Sequence, residues 1–202
     1  GDGRPEIISV FNNSCASGAR LYVFPNRSSP GILDFCSYQT FGNIYTCGGT
    51  MSVADMDGDH LSDVVFTTGS TGANISILRN SSTPGAINLD AAFQVATLGG
   101  GNVTLADFDG DGLTDIAWPG YSTDNIYIKK NNYAGGTFDA TSFGPNVSLN
   151  SPLGYIHDEV SVGDINGDGK LDLILAGSTD VAVFENTSTP GTLDATSFAT
   201  GV

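Results

Sequence analysis

Apolar and polar positions along the chain fall into short runs, and the order of those runs recurs. Met51-Ser-Val-Ala54, Val103-Thr-Leu-Ala106 and Val160-Ser-Val-Gly163 alternate apolar with small polar residues, as a half-buried strand does. Each is followed, one acidic segment later, by a more continuous apolar run: Val64-Val-Phe66, Ile116-Ala-Trp118 and Leu173-Ile-Leu175. Such runs, ended by Thr, Pro or Ala and then Gly, predict buried strands closed by turns. A third strand follows in each unit, as Ile75-Ser-Ile-Leu78, Ile126-Tyr-Ile128 and Val181-Ala-Val-Phe184, and ends at Asn80, Asn131 and Asn186. In two units a Pro-Gly turn, Pro84-Gly85 or Pro190-Gly191, leads to a phrase such as Leu193-Asp-Ala-Thr-Ser-Phe198, which is expected to supply a fourth, outer strand.

The unit is therefore a four-stranded antiparallel meander, and the chain is a repeat of it. Full repeats are expected over residues 51–102, 103–159 and 160–202. Residues 1–50 show the same unit opened. Gly1-Asp-Gly-Arg-Pro-Glu6 matches the second half of an acidic segment, and Ile7-Ile8, Leu21-Tyr-Val-Phe24, Asn26 and Pro30-Gly-Ile-Leu-Asp34 fall where the other repeats require. The expectation is an all-β chain of three full repeats and one repeat lacking its inner strand, either a window from a longer protein or a chain whose missing inner strand comes from elsewhere, because an uncovered strand edge invites pairing.

The acidic segments carry the chemistry. Asp55-Met-Asp-Gly-Asp-His-Leu-Ser-Asp63, Asp107-Phe-Asp-Gly-Asp-Gly-Leu-Thr-Asp115 and Asp164-Ile-Asn-Gly-Asp-Gly-Lys-Leu-Asp172 align without gaps, 52 and then 57 residues apart. Oxygens at alternate positions of a curled loop point inward, and a calcium ion accepts about six to eight of them. The expected ligands are the side chains at positions 1, 3, 5 and 9 with the carbonyl of position 7. In the first loop these are Asp55, Asp57, Asp59 and Asp63 with Leu61; in the second, Asp107, Asp109, Asp111 and Asp115 with Leu113; in the third, Asp164, Asn166, Asp168 and Asp172 with Lys170. Gly at position 4, and at position 6 of two loops, lets the backbone curl without a Cβ clash; His60 at position 6 is expected to strain the first loop. An EF-hand opens similarly but requires Glu at position 12 and flanking helices, whereas position 12 is Phe66, Trp118 and Leu175. Asp/Gly-rich turns whose side chains only cap their own backbone are the plainer alternative. Three copies in register argue against it, as does the mutual repulsion of clustered carboxylates.

These loops, set between strands and followed by the turn Asn186-Thr-Ser-Thr-Pro-Gly191, resemble the FG-GAP/VCBS repeat family, the calcium-loop blades of integrin-α-type β-propellers and of many secreted microbial proteins. The resemblance implies four-stranded blades around an axis, with calcium in the loop joining the first two strands of each blade, and an extracellular setting.

Composition adds limits. Charged residues are only 14% while Gly numbers 27, which suits short strands and tight turns. The net charge of −15 is concentrated in the loops, so it points to cation binding and away from nucleic acid. No apolar run is long enough for a transmembrane helix, so membrane insertion is not expected. Cys15, Cys36 and Cys47 lack zinc-site spacing; a disulfide is expected, with Cys36 and Cys47 favoured for their proximity and one thiol left free or paired elsewhere. Sequons stand at Asn12, Asn26, Asn74, Asn80, Asn102, Asn146 and Asn186, though Asn-x-Ser/Thr is also good turn chemistry. His157 is read as structural, and Trp118 as core rather than a sugar platform. No Ser sits in a nucleophile elbow, so no enzyme is expected. The resulting reading is an extracellular module in which structural calcium stiffens the loops and the surface binds a protein or glycan. Its rivals are a filament or surface-layer subunit formed by self-association and an accessory part of a secreted polysaccharide-active enzyme.

Overall fold

A computed structural model of the chain describes residues 4–12, 19–35, 37–44, 50–68, 74–95, 97, 101–120, 123–153, 160–177 and 179–199. Cys15, Cys36, Cys47 and His157 lie outside the described residues, so the disulfide and histidine expectations are not addressed. Among the described residues all regular structure is β, in four antiparallel sheets, and no helix is long and apolar enough to cross a membrane.

The first sheet is β1 (Ile7–Asn12), β2 (Ala19–Phe24) and β3 (Gln39–Ile44). The second repeat forms β4 (Met51–Ala54), β5 (Asp63–Thr68), β6 (Asn74–Leu78) and β7 (Phe93–Val95). The third forms β8 (Thr104–Ala106), β9 (Asp115–Pro119), β10 (Asn125–Asn131) and β11 (Phe143–Asn150). The fourth forms β12 (Val160–Gly163), β13 (Asp172–Ala176) and β14 (Val181–Phe184). Every acidic loop joins the first and second strands of its sheet, as expected.

One expectation is corrected. The phrase Leu193–Phe198 is not a strand. Asp194 accepts the Thr196 N–H, the Ser197 N–H bonds back to the Asp194 carbonyl, and only Phe198 makes an isolated bridge, to Asn186. The matching phrase of the third repeat shows why: Asp139 and Ser142 make the same turn, and β11 begins at the Phe143 that follows it. The short polar side chains satisfy the backbone locally, which competes with a ladder. The Pro-Gly pairs behave as read, with Gly31, Gly85 and Gly191 at φ of 81°, 85° and 79° inside two-residue turns.

The sheets pack face against face. Leu21 and Val23 of the first meet Val64, Phe66 and Leu78 of the second. On the opposite face of β5, Val65 joins Ile75, Ile77, Ile116 and Trp118 across the next seam. Ala117, on the other face of β9, packs with Ile126, Ile128, Leu173 and Leu175. The second strand of an inner sheet is thus buried on both faces, which is why its sequence is continuous rather than alternating. Burying each large aliphatic or Phe side chain here contributes about 1.5–3 kcal/mol. The inner strands are neighbours in succession: Ser52 Oγ donates to the Val103 carbonyl (3.4 Å), and Thr104 Oγ1 to the Val160 carbonyl.

Candidate metal centres

Each acidic loop starts where its inner strand ends and finishes inside the next strand, so both ends are pinned by a ladder. The final residue does most of the anchoring. Asp63, Asp115 and Asp172 are the first residues of β5, β9 and β13 and are buried. One carboxylate oxygen accepts the N–H of loop position 2, from Met56 (2.8 Å), Phe108 (3.0 Å) and Ile165 (2.9 Å). The other accepts an N–H from the last residue of the third strand, Asn131 (2.8 Å), or from two residues past it, Asn80 (2.7 Å) and Asn186 (2.8 Å).

Position 1 closes the curl from the other side. Asp55 accepts from Gly58 and His60, Asp107 from Gly110 and Gly112, and Asp164 from Gly167 and Gly169, all at 2.7–2.9 Å. Positions 3 and 5 each accept an N–H two residues on, so Leu61, Leu113 and Lys170 donate to Asp59, Asp111 and Asp168. The position-6 backbone is left-handed throughout, with Gly112 at φ 89° and Gly169 at 86°. His60 is held at φ 69°, the strain expected of a residue with a Cβ.

The backbone-capping alternative is therefore realised, but it does not use up the oxygens, since each carboxylate has about four lone-pair sites. Ligand atoms of Asp55, Asp57 and Asp63 lie within 4.8 Å of one another, as do those of Asp107, Asp109 and Asp115. Burial pushes Asp63 up to about 6 and Asp115 up to about 7, against the lowering effect of their backbone donors. Carboxylates so placed are costly to ionise unless a cation shares the site.

A cation does share two of the loops. Arg79 Nε contacts Asp57 and its Nη2 lies 3.3 Å from Asp59, and Lys130 Nζ contacts both Asp109 and Asp111. These side chains stand in for part of the positive charge that the loop oxygens suit. Oxygen-only donors, curled around a point and accepting a side-chain cation, fit a hard divalent ion of the calcium type. The third loop has the same internal bonds, but Asn166 Nδ2 donates to Glu185 (3.0 Å) where the other loops meet Arg79 or Lys130. Lys170 donates to the Ser188 carbonyl (2.8 Å).

Sequence reasoning missed a further role, that of the asparagine at or just past the end of each third strand. Asn131 and Asn186 are fully buried. Asn131 Nδ2 reaches its own loop at Thr114 and the preceding repeat's loop at the Met56 carbonyl (2.7 Å). Asn186 Nδ2 does the same with Leu171 and the Phe108 carbonyl (2.8 Å), where Ser188 Oγ also donates. The recurrence of Asn before a polar turn was the available signal; its partner 75 or 78 residues away was not. The amide nitrogen of the Asn186 sequon is thus engaged twice in the folded chain, once in a buried hydrogen bond.

The model of the FG-GAP-like repeat matches residues 55–118 and 107–175, more than half the chain. The chain belongs to the FG-GAP-like repeat family. Each match runs from one acidic loop to the strand beyond the next, so the match covers the centres just described. No curated protein matches the chain.

Proposed function

We propose that this FG-GAP repeat chain is a non-enzymatic extracellular module whose three loops bind structural calcium, and whose assembled surface binds a protein or glycan. The observation that carries the reading is the recurrence in three loops of the same buried final carboxylate and the same capping bonds, with ligand oxygens of positions 1, 3 and 9 drawn together in loops one and two. Calcium would be held by the side chains at positions 1, 3, 5 and 9 and the carbonyls of Leu61, Leu113 and Lys170. Its charge offsets the repulsion among the carboxylates and ties the inner strand to the second.

Radial stacking of the sheets as blades of a β-propeller is the arrangement we favour, since the inner strands β4, β8 and β12 lie side by side and each seam is a face-to-face apolar contact. On the outer face of the first sheet, Phe11, Tyr22, Phe24 and Tyr38 form an aromatic group with Phe11 and Tyr38 largely exposed, which suits stacking on a sugar or an apolar side chain. Trp118, by contrast, is fully buried against Tyr127.

A site filled at a hundred times its dissociation constant adds about 2.7 kcal/mol to stability. Calorimetry in calcium and in excess chelator tests the reading: the melting temperature is expected to fall by several degrees on chelation, and an unchanged value would sink it. Exposed apolar residues at Ile7 of the first sheet, Ile165 of the third loop and Val181 of the fourth sheet favour a second reading in which copies stack into a filament. Discrete particles in electron microscopy would count against that one.

A further inference from the structure

The three loops share one backbone but not one electrostatic setting. The difference comes from a single equivalent position, the residue before the asparagine at or just past the end of each third strand: Arg79, Lys130 and Glu185. Arg79 sits on Asp57 and Asp59, with Asp90 3.9 Å away on its far side. Lys130 sits on Asp109 and Asp111, and its side chain is largely withdrawn from solvent. In both cases the tethered cation takes the free oxygens of positions 3 and 5, the pair that a bound ion would share. Glu185 instead brings a carboxylate to Asn166, at position 3 of the third loop. The acidic count stays at four there, from Asp164, Asp168, Asp172 and Glu185, with no basic side chain on any of them among the described residues.

We infer that this one position ranks the calcium sites: Arg79 and Lys130 are built-in competitors that calcium must displace from loops one and two, whereas Glu185 orients Asn166 and adds negative charge, so that loop three fills first. The inference rests on the calcium reading above. It reverses the order that loop regularity alone suggests, in which the all-aspartate second loop is the strongest. Preorganisation does not restore that order, because the capping bonds of Asp164 and Asp172 reproduce those of Asp107 and Asp115. A calcium ion entering loop two must break contacts from an ammonium to two carboxylates. Contacts of that kind are among the stronger hydrogen bonds in proteins.

The test is a calcium titration of the chelator-stripped chain, labelled with nitrogen-15 glycine, following the amide resonances of Gly110 and Gly112 in loop two and Gly167 and Gly169 in loop three. The loop-three glycines are expected to reach their midpoint at a free calcium concentration about tenfold or more below the loop-two glycines. Lys130→Met should lower the loop-two midpoint about ten- to a hundredfold, the size of one charge-assisted hydrogen bond removed from the competition. Glu185→Lys should raise the loop-three midpoint by a similar factor. The same spectra report folding, and Lys130→Gln replaces Lys130→Met if the latter does not fold. Loops that fill together, or loop two filling first, with midpoints that the variants do not move, would overturn the ranking while leaving calcium binding intact. Glycine resonances indifferent to calcium would overturn the calcium reading itself.

Discussion

Loops two and three present nearly identical backbones to very different surroundings. Loop two is roofed by the following repeat: Asn186 and Ser188 donate to the Phe108 carbonyl and Gly191 N–H to the Asp109 carbonyl, leaving Asp109 buried. In loop three, Asp164, Asn166 and Asp168 are exposed. Both nevertheless keep the same capping bonds. The difference teaches that the curl is encoded within the nine residues, while burial and the neighbouring charge are imposed by the strands and the next repeat. Folding of the loop and tuning of the site are therefore separable.

The largest break in this comparison should come from the roof. Asn186→Ala removes the amide donor shared by the Phe108 and Leu171 carbonyls and the acceptor of the Ser188 N–H; Phe108 keeps the Ser188 hydroxyl, and each group left unsatisfied costs about 1–3 kcal/mol. A loss of about 3 kcal/mol is expected from the urea midpoint at unchanged slope. Asn131→Ala should match it, and Asn80→Ala, whose amide is bonded to the Ser62 carbonyl of its own loop, should cost about 1 kcal/mol. Equal losses at Asn80 and Asn186 would show that the bond between repeats is not what locks the seam.

A smaller effect tests whether the curl is local. Gly112 and Gly169 have left-handed backbones with open space where a Cβ would stand. Alanine at either position should therefore cost only the backbone term, about 1–2 kcal/mol, and the two costs should agree despite the differing charge around them. Thermal unfolding of both variants in chelator checks this, and a marked disagreement would mean that the roof helps to set the curl. The smallest effect runs the other way. His60→Gly removes the side-chain penalty at φ 69° and should stabilise the chain by about 1 kcal/mol in the same assay.

Much of this was legible in the sequence because repetition multiplies weak signals. One D-x-D-G-D segment is a turn; three in register, each between an alternating run and a continuous run, fix the loops between first and second strands. The strands Val64–Phe66, Ile116–Trp118 and Leu173–Leu175 were readable because burial on both faces leaves no polar alternation. The outer strands were not. Leu193–Phe198 has a strand-like composition, but Asp194 and Ser197 hydrogen-bond locally and turn the chain. The tethered cations were equally hidden, because Lys130 lies 15 residues beyond its loop and nothing in the spacing says where its ammonium points.

What the sequence alone determined is whatever rests on contacts within one repeat: the all-β class, the nine-residue loops between first and second strands and the left-handed backbone at His60. Those features follow from local propensity, glycine placement and the period of apolar residues, all of which act over a few residues. Tertiary structure decided what depends on residues far apart in the chain. The reach of Asn131 and Asn186 into the preceding loop, the burial that raises Asp63 and Asp115, and the choice of Arg79, Lys130 or Glu185 as neighbour to a loop arise only when strands pair and sheets stack. Desolvation and charge act through space, and their strength is set by distances that sequence separation does not contain.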